Sequence, residues 1–244
     1  MKKTKSMLYP LLIIGSVSLA MFSCKKDDTT KSNNSTSSGI VFNPNKTYGT
    51  MTDIDGNTYK TITIGTQTWM AENLKVTKYN DSTAIPNVTD ATAWSSLTTG
   101  AVCTYNNTTN ADTINTYGRL YNWYAVNTAK LCPTGWHVPS DSEWTILNNY
   151  LLTNVGGKLK ETGTTHWATP NTGATNETGF TALPGGFRDY NGTFNIIGYF
   201  GFWWSSTEGS TGYASYRNLF SSGSGLDYGG NYLVSGFSVR CLRD

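Results

Sequence analysis

The stretch LCPTGWHVPSDSEW, residues 131–144, constrains the fold most, because it fixes where a helix begins. Ser140 and Glu143 have the S-x-x-E spacing of a capping box, in which each side chain accepts a hydrogen bond from the backbone N–H of the other residue. The apolar positions that follow share one helix face: Trp144, Leu147 and Leu151. The sequence therefore predicts a helix that begins after Ser140 and buries this face.

His137 lies in the same stretch, in an extended approach to Pro139. A zinc site needs three or four ligands of suitable type, and the chain has only one other histidine, His166. We therefore interpret His137 as a structural residue. No metal site and no cofactor are predicted.

The chain opens with features of a secretory signal peptide. Three lysines precede an apolar run over residues 7–22, which falls short of the roughly 20 residues needed to span a bilayer. A membrane anchor helix is the alternative, and Pro10 and the polar sequence beyond the run disfavour it. Residues 1–23 are therefore predicted to be a signal peptide.

Composition argues against a nucleic-acid partner. Charged residues make up 14% of the chain and aromatic residues 13%, a balance typical of exported, loop-rich proteins with β-structure. Removing the three signal-segment lysines from the 18 basic residues leaves 15 against 16 acidic ones. Such a chain lacks the excess of positive charge that nucleic-acid binding requires.

The apolar run ends in MFSCKKDD, with Ser23 directly before Cys24. This segment resembles the lipobox of bacterial lipoproteins, from which Met21 and Phe22 depart. The resemblance implies that Cys24 is acylated and anchors the chain to a membrane, at about 0.8 kcal/mol per buried methylene. The charged residues after Cys24 also resemble the surface-export signal of Bacteroidota lipoproteins; a polar spacer without an addressing role is the alternative. We expect a lipid-anchored protein of the outer membrane, exposed at the surface.

A polar composition predicts a tether after Cys24, and the spacing of apolar residues predicts the first strands and helices of the domain. Residues 24–47 are predicted to be the lipidated N-terminus and a flexible tether, with a single domain over 48–244. Residues 51–76 alternate between turns and β-branched or aromatic positions, which predicts a β-meander. Short helices are predicted over 89–97 and 117–129.

Five blocks follow one another along the domain: YGRLYNWYAV, LCPTGWHVPSDSEW, TNETGFTALPGGFRD, GFWWSSTE and GFSVRCLRD. Their succession resembles the Fibrobacter succinogenes major paralogous domain of bacterial surface lipoproteins, over roughly 49–244. That family is more remotely similar to the C-type lectin-like fold, which formylglycine-generating enzymes also use. The resemblance implies an α+β fold: a single C-type lectin-like domain with two short helices packed on twisted antiparallel sheets with long loops.

Three cysteines remain after Cys24, namely Cys103, Cys132 and Cys241, and they allow one disulfide and one free thiol. In the C-type lectin-like fold a cysteine near the end of the first helix bonds one on the last strand. Cys132 and Cys241 occupy the matching positions, so the resemblance implies that they pair, at roughly 4 to 5 kcal/mol on the entropic model. A bond between Cys103 and Cys132 is the alternative.

Loops of the C-terminal half, at 188–192, 207–213 and 222–231, are the places where we expect a ligand to bind. Carboxylates and amides can bond sugar hydroxyls there, and aromatic rings can stack on sugar faces, although such residues are also ordinary in exposed loops. The candidate ligand-binding residues are Asp189, Tyr190, Asn191, Trp204, Glu208, Asp227, Tyr228 and Asn231.

The chemistry of the remote relatives is not carried over. The chain lacks the Glu-Pro-Asn, Gln-Pro-Asp and Trp-Asn-Asp tripeptides of calcium-dependent lectins, and Cys241 has no second cysteine beside it for the formylglycine reaction. A non-catalytic module that binds a glycan or an envelope protein is therefore the predicted function. The alternatives are a structural or adhesive envelope subunit without a small ligand, and an enzyme acting on polysaccharide.

Overall fold

The structure is a computed structural model that describes Met1 and residues 39–244. The predicted signal peptide beyond Met1, the lipidation site Cys24 and the tether up to residue 38 lie outside the described residues. The first half of the described chain contains β1 Gly49–Thr52, β2 Thr58–Ile64, β3 Gln67–Met70, α1 Ala91–Ser95, β4 Val102–Cys103, a 3-10 turn Tyr105–Asn107, α2 Ala111–Tyr117, β5 Leu120–Tyr121 and α3 Trp123–Val126. The second half contains β6 Trp136–His137, α4 Asp141–Leu151, α5 Val155–Leu159, β7 Phe187–Arg188, β8 Phe194–Asn195, β9 Phe200–Glu208, β10 Tyr213–Phe220, β11 Asp227–Tyr232 and β12 Leu242–Arg243.

The fold is a mixed α/β structure in which antiparallel sheets dominate. One sheet has five strands in the order β1-β2-β3-β12-β6, and a second has three in the order β11-β10-β9; β4-β5 and β7-β8 form two small ladders. The predicted meander is confirmed as β1 to β3. The last strand completes the first sheet, because Leu242 pairs with Trp69 on one side and with His137 on the other.

Helix α4 begins as its sequence predicts. The Ser140 backbone N–H donates to Glu143 Oε2 at 2.8 Å, and the Ser140 hydroxyl accepts from the Glu143 N–H, so both halves of the capping box are present. The predicted apolar face is buried, and the Trp144 ring lies 4.6 Å from that of Trp69 on β3. This face therefore packs the helix against the first sheet.

The helix predicted over 117–129 is wrong for most of its length. Leu120 and Tyr121 pair with β4 instead, and only the single turn of α3 is helical. The Asn122 side chain caps that turn by accepting from the Ala125 N–H at 3.1 Å. A positive φ of 56° at Ala129 lies beyond its end. The described residues contain five α-helices in total, where the family resemblance implies two.

Strand β9 separates two apolar clusters. Successive side chains of a strand point to opposite faces, so Trp204 packs into one cluster and Trp203 into the other. The Trp204 cluster includes Tyr121, Phe202 and Phe237. The Trp203 cluster includes Trp69, Trp144, Trp167 and Phe180. The two sheets and α4 close around these clusters.

Two buried cations bind loops through backbone carbonyls. Lys160 Nζ donates at 2.8 to 3.0 Å to three carbonyl oxygens, those of Thr172, Phe220 and Gly223. The Arg188 guanidinium donates at 2.6 to 3.0 Å to three others, those of Val88, Thr89 and Gly192. Each cation thereby joins segments that lie far apart in sequence, such as Arg188 with Val88 and Lys160 with Phe220, and holds those loops in place.

The disulfide joins Cys132 to Cys241, with their Cα atoms 6.0 Å apart and 109 residues between them in sequence. The pairing implied by the family resemblance is confirmed. Cys103 is a free, buried thiol, so the alternative bond between Cys103 and Cys132 is wrong. Burial raises the pKa of Cys103 to about 12, which keeps it protonated and unreactive at neutral pH.

Residues 41–46 contact the domain, although the sequence assigns them to the tether. The Val41 N–H donates to Glu161 Oε1 at 2.6 Å, and Asn43 Nδ2 donates to the Asn176 carbonyl at 2.9 Å. The Phe42 ring meets the Tyr48 ring edge-on. These contacts tie the segment before β1 to Glu161 and Asn176, both of which are buried in the domain.

Replacing both disulfide cysteines by alanine is expected to lower the free energy of unfolding by about 4 to 5 kcal/mol, because a cross-link over a loop of this length strongly restricts the unfolded chain. Guanidinium denaturation of the wild type and of the Cys132→Ala, Cys241→Ala variant measures the loss. Cys103→Ala is the matched control, since it removes a buried sulfur without opening a loop. A loss in the double variant no larger than in this control contradicts the prediction.

Candidate functional site

The predicted ligand-binding residues lie mainly on and beside the β10–β11 hairpin. In its register, Tyr213 faces Tyr232 at one end and Arg217 faces Tyr228 near the other. These pairs are four residues apart, which corresponds to roughly 13 Å along a strand. The hairpin therefore separates the predicted residues into two groups.

The first group surrounds three tyrosine rings, here called the tyrosine cluster: Tyr190, Tyr213 and Tyr232. The Tyr232 ring centroid lies 4.6 Å from that of Tyr190 and 4.7 Å from that of Tyr213. Tyr190 is 47% exposed and Tyr232 is 42% exposed. Aromatic rings that pack against one another while facing solvent form a surface suited to binding.

Polar residues of the first group shape the loops that carry these rings. Asp189 Oδ1 accepts from the Tyr190 N–H at 2.8 Å, and Asn231 Oδ1 accepts from the Tyr232 N–H at 2.8 Å. Asn191 Oδ1 accepts from the N–H and the hydroxyl of Thr193 in the same turn. Asp189, Asn191 and Asn231 therefore position the tyrosine cluster through local hydrogen bonds.

The turn that presents Tyr190 needs a glycine. Gly192 has φ +86°, and a β-carbon there would lie 2.6 Å from the Ala91 backbone of α1. The Gly192 carbonyl also accepts from Arg188 Nε at 3.0 Å. The buried cation, the glycine and α1 together hold the turn against the domain.

Glu208 also lies at this end of the hairpin. It pairs in backbone register with Ala214, next to Tyr213, and it is exposed at the end of β9. The structure thus brings Glu208 to the end of the three-stranded sheet that carries the tyrosine cluster.

The second group, Asp227 and Tyr228, lies near the other end of the hairpin beside a cleft, here called the Arg217 cleft. Asp227 begins β11, and Tyr228 follows it and enters the cleft wall. The cleft has a volume of about 410 Å³. It is lined by Asp141, Thr145, Asn148, Arg217, Leu226 and Tyr228.

Arg217 is the central side chain of this cleft, and it was not among the residues predicted from the sequence. Its Nη2 lies 2.8 Å from Asp141 Oδ1 and 3.2 Å from Thr145 Oγ1, both on α4. The guanidinium also lies over the Tyr228 ring, 5.1 Å from its centroid. Burial lowers the pKa of Arg217, and the Asp141 charge opposes this shift. One sequence signal points to it: Arg217 is in phase with Leu219 on an apolar strand, at a position that faces the interior.

Trp204 belongs to neither group, and its prediction as a ligand contact is wrong. The side chain is 0% exposed, its Nε1 donates to the Tyr121 carbonyl at 2.8 Å, and its ring lies 4.3 Å from Phe237. Trp204 lies two residues after Phe202 on β9, so both side chains point to the same face of the strand and into the same core cluster. Trp204 is a packing residue of the first cluster.

The model of the Fibrobacter succinogenes major domain family matches residues 62–243. The chain belongs to this family. No curated protein and no solved structure matches the chain. The family region runs from within β2 to β12 and contains both disulfide cysteines, the tyrosine cluster and the Arg217 cleft. The features described above are therefore features of the Fibrobacter succinogenes major domain in this chain.

His137 lies in the family region between two carboxylates. Its Nδ1 is 2.6 Å from Asp244 Oδ1, and its Nε2 is 2.9 Å from Glu143 Oε1. Partial burial lowers the pKa of His137, but the hydrogen bonds and charges of Asp244 and Glu143 outweigh this effect and raise it above its ordinary value. Both ring nitrogens are engaged, and the histidine connects β6, β12 and the cap of α4.

Two kinds of feature are absent from the described part of the chain. Across Met1 and residues 39–244, no three side chains of His, Cys, Asp or Glu converge as a metal site would require. Over the same residues, no helix has both the length and the apolar character needed to cross a membrane.

Substitution should distinguish the core tryptophan from the surface tyrosine. Trp204→Ala is expected to lower the free energy of unfolding by about 3 to 5 kcal/mol, because it leaves a cavity beside Phe237. Tyr190→Ala should lower it by less than about 1 kcal/mol, since the ring is half exposed. Equal losses in guanidinium denaturation would show that the assignment of Trp204 to the core is wrong.

The His137 contacts predict a pH dependence of stability. A histidine with a raised folded-state pKa stabilises the fold below its ordinary pKa of about 6.5, and this contribution is lost as the pH rises through the folded-state value. The pKa of Glu143 is lowered because its hydrogen bonds to Ser140 and His137 outweigh the effect of burial. The stability that the Glu143 carboxylate contributes is therefore lost as the pH falls through this lowered pKa.

Urea denaturation across this pH range measures the effect. The free energy of unfolding of the wild type minus that of His137→Gln should fall as the pH rises above 6.5, and the subtraction separates His137 from His166. A difference that does not change with pH would rule out the proposed contribution of His137.

Proposed function

We propose that this chain is a lipid-anchored envelope protein whose domain is a non-catalytic glycan-binding module displayed at the surface of the outer membrane. The observation that carries the proposal is the tyrosine cluster, three packed and solvent-facing rings at one end of the β10–β11 hairpin. A sugar ring has an apolar face of C–H groups that packs on an aromatic ring, while its hydroxyls bond carboxylates and amides around the edge. Asp189, Asn231 and Glu208 supply such groups at this position.

Rigid presentation of the cluster supports binding. Tyr190 lies on a turn that Arg188 and Gly192 hold against α1, and Tyr232 lies on a strand paired with β10. A surface that is already ordered loses little conformational entropy when a ligand binds. Modest contacts with each sugar unit are then sufficient for recognition.

The proposal also includes the lipid anchor at Cys24 and the remote relationship to the C-type lectin-like fold. Acylated Cys24 and the polar segment after it hold the domain at the membrane surface. The C-type lectin-like relationship is supported by the Cys132–Cys241 bond, which ties the segment after α3 to the last strand. The relatives' calcium chemistry is not part of the proposal, because its sequence motifs are missing from the chain.

A glycan array probed with the full chain tests the proposal. We expect binding to one class of glycan, and we expect Tyr190→Ala and Tyr232→Ala each to weaken it about fivefold or more, since truncating a central aromatic contact typically costs over about 1 kcal/mol. Tyr199→Ala is the matched control, because Tyr199 is 54% exposed and lies outside the cluster.

Other results would contradict the proposal. Absence of any glycan signal, together with co-purifying envelope proteins, would favour a structural or adhesive subunit. Cleavage of a polysaccharide that depends on a single carboxylate such as Asp189 or Glu208 would show an enzyme instead.

A further inference from the structure

The Arg217 cleft contains a donor that lacks an acceptor. Arg217 is 5% exposed, and its Nη1 is buried without a hydrogen-bond partner among the described residues. Nη2 of the same guanidinium is engaged by Asp141 and Thr145. A buried N–H without a partner is costly, and such groups are rare in folded proteins. The cleft is therefore deficient in one oxygen acceptor beside Nη1.

The wall of the cleft is an exposed aromatic ring. Tyr228 is 79% exposed and lies over the guanidinium from the edge strand β11. Because Nη1 is covered, an incoming oxygen reaches it only when a wall side chain shifts. Tyr228 is suited to this shift, since few neighbours restrain its ring.

The charges around the cleft favour a neutral ligand. Arg217 is already paired with Asp141 at 2.8 Å. An anion would compete with Asp141 for the guanidinium and would be repelled by the Asp141 carboxylate. A cation would be repelled by the positive charge of Arg217. A neutral molecule with several hydroxyls can accept from Nη1 and donate to Asp141 without either penalty.

The cleft and the tyrosine cluster share one face of the hairpin. Residues an even number apart on a strand point the same way, so Tyr228 and Tyr232 lie on one face. Between them on that face, Ser215 pairs with Gly230. Both residues are small, so no large side chain of the hairpin separates the two ends.

We propose that the Arg217 cleft is a second subsite for the glycan, which takes a neutral sugar unit against Tyr228 with its hydroxyls toward Arg217 and Asp141. This inference rests on the proposed function, and it names neutral oligosaccharides as the ligand class. One oligosaccharide lies along the hairpin from the tyrosine cluster, across Ser215 and Gly230, to the cleft. Affinity therefore increases with chain length until both ends are occupied.

Calorimetric titration of the full chain with neutral gluco-, manno- and xylo-oligosaccharides of increasing length tests the subsite. Oligogalacturonates of the same lengths serve as the anionic comparison. We expect Tyr228→Ala to weaken binding of the long neutral chains about fivefold or more and to remove the gain from length. Tyr228→Phe should retain most of the affinity because the ring remains.

Tyr150→Ala is the matched control, since Tyr150 is 61% exposed on the same α4 helix and does not line the cleft. Thermal denaturation verifies that each variant is folded. A nitrogen-15 NMR spectrum provides a direct readout, because the Arg217 side-chain signal should shift when the long neutral oligosaccharide is added.

The outcomes separate the two proposals. Unchanged binding by Tyr228→Ala, with binding lost in Tyr232→Ala, would overturn the second subsite and leave the glycan-binding function intact. Tighter binding of oligogalacturonates than of neutral chains would overturn the assignment to neutral ligands. Absence of binding to every oligosaccharide by the wild type would overturn both proposals.

Discussion

The guanidinium of Arg240 is the interaction on which the arrangement of the domain depends. It is fully buried directly before Cys241, donates to Asn73 Oδ1 and to the Thr181 carbonyl at 2.9 Å, and lies over the Phe180 ring. Burial lowers the pKa of Arg240 to about 9, so it remains charged at neutral pH. Backbone and amide oxygens solvate this charge, and displacing one of the segments that carry them would leave it uncompensated at a cost of several kcal/mol.

The same principle explains how a chain with long loops presents an ordered surface. Arg188 and Lys160 repeat the arrangement of Arg240, with carbonyl oxygens from irregular segments around a buried cation. Each cation is solvated by carbonyl oxygens from more than one loop, so each of these loops is held by the charge that it helps to solvate. The turn that carries Tyr190 includes one of these carbonyls, at Gly192. The surface around the tyrosine cluster is thus coupled to the interior through Arg188.

Local signals in the sequence predict local structure well here, and long-range contacts poorly. The capping box at Ser140 and the meander before residue 76 depend on neighbouring residues, and both are confirmed. The disulfide follows from resemblance to a family, since counting Cys103, Cys132 and Cys241 alone leaves three pairings. Trp204 was wrongly predicted as a ligand contact because it lies near loops, and Arg217 was not singled out at all; strand phase decides which way each side chain points, and phase depends on where the strand pairs.

The Cys132–Cys241 bond has a consequence for proteolysis. The ring that it closes contains the turns that join β7 to β8, β9 to β10 and β10 to β11, the exposed segments in which a protease would most readily cut. A single cleavage in any of them leaves two fragments that are still joined by the disulfide and still held by the sheets and buried cations. In a protease-rich environment, a nicked molecule would remain a single covalent unit until the bond is reduced.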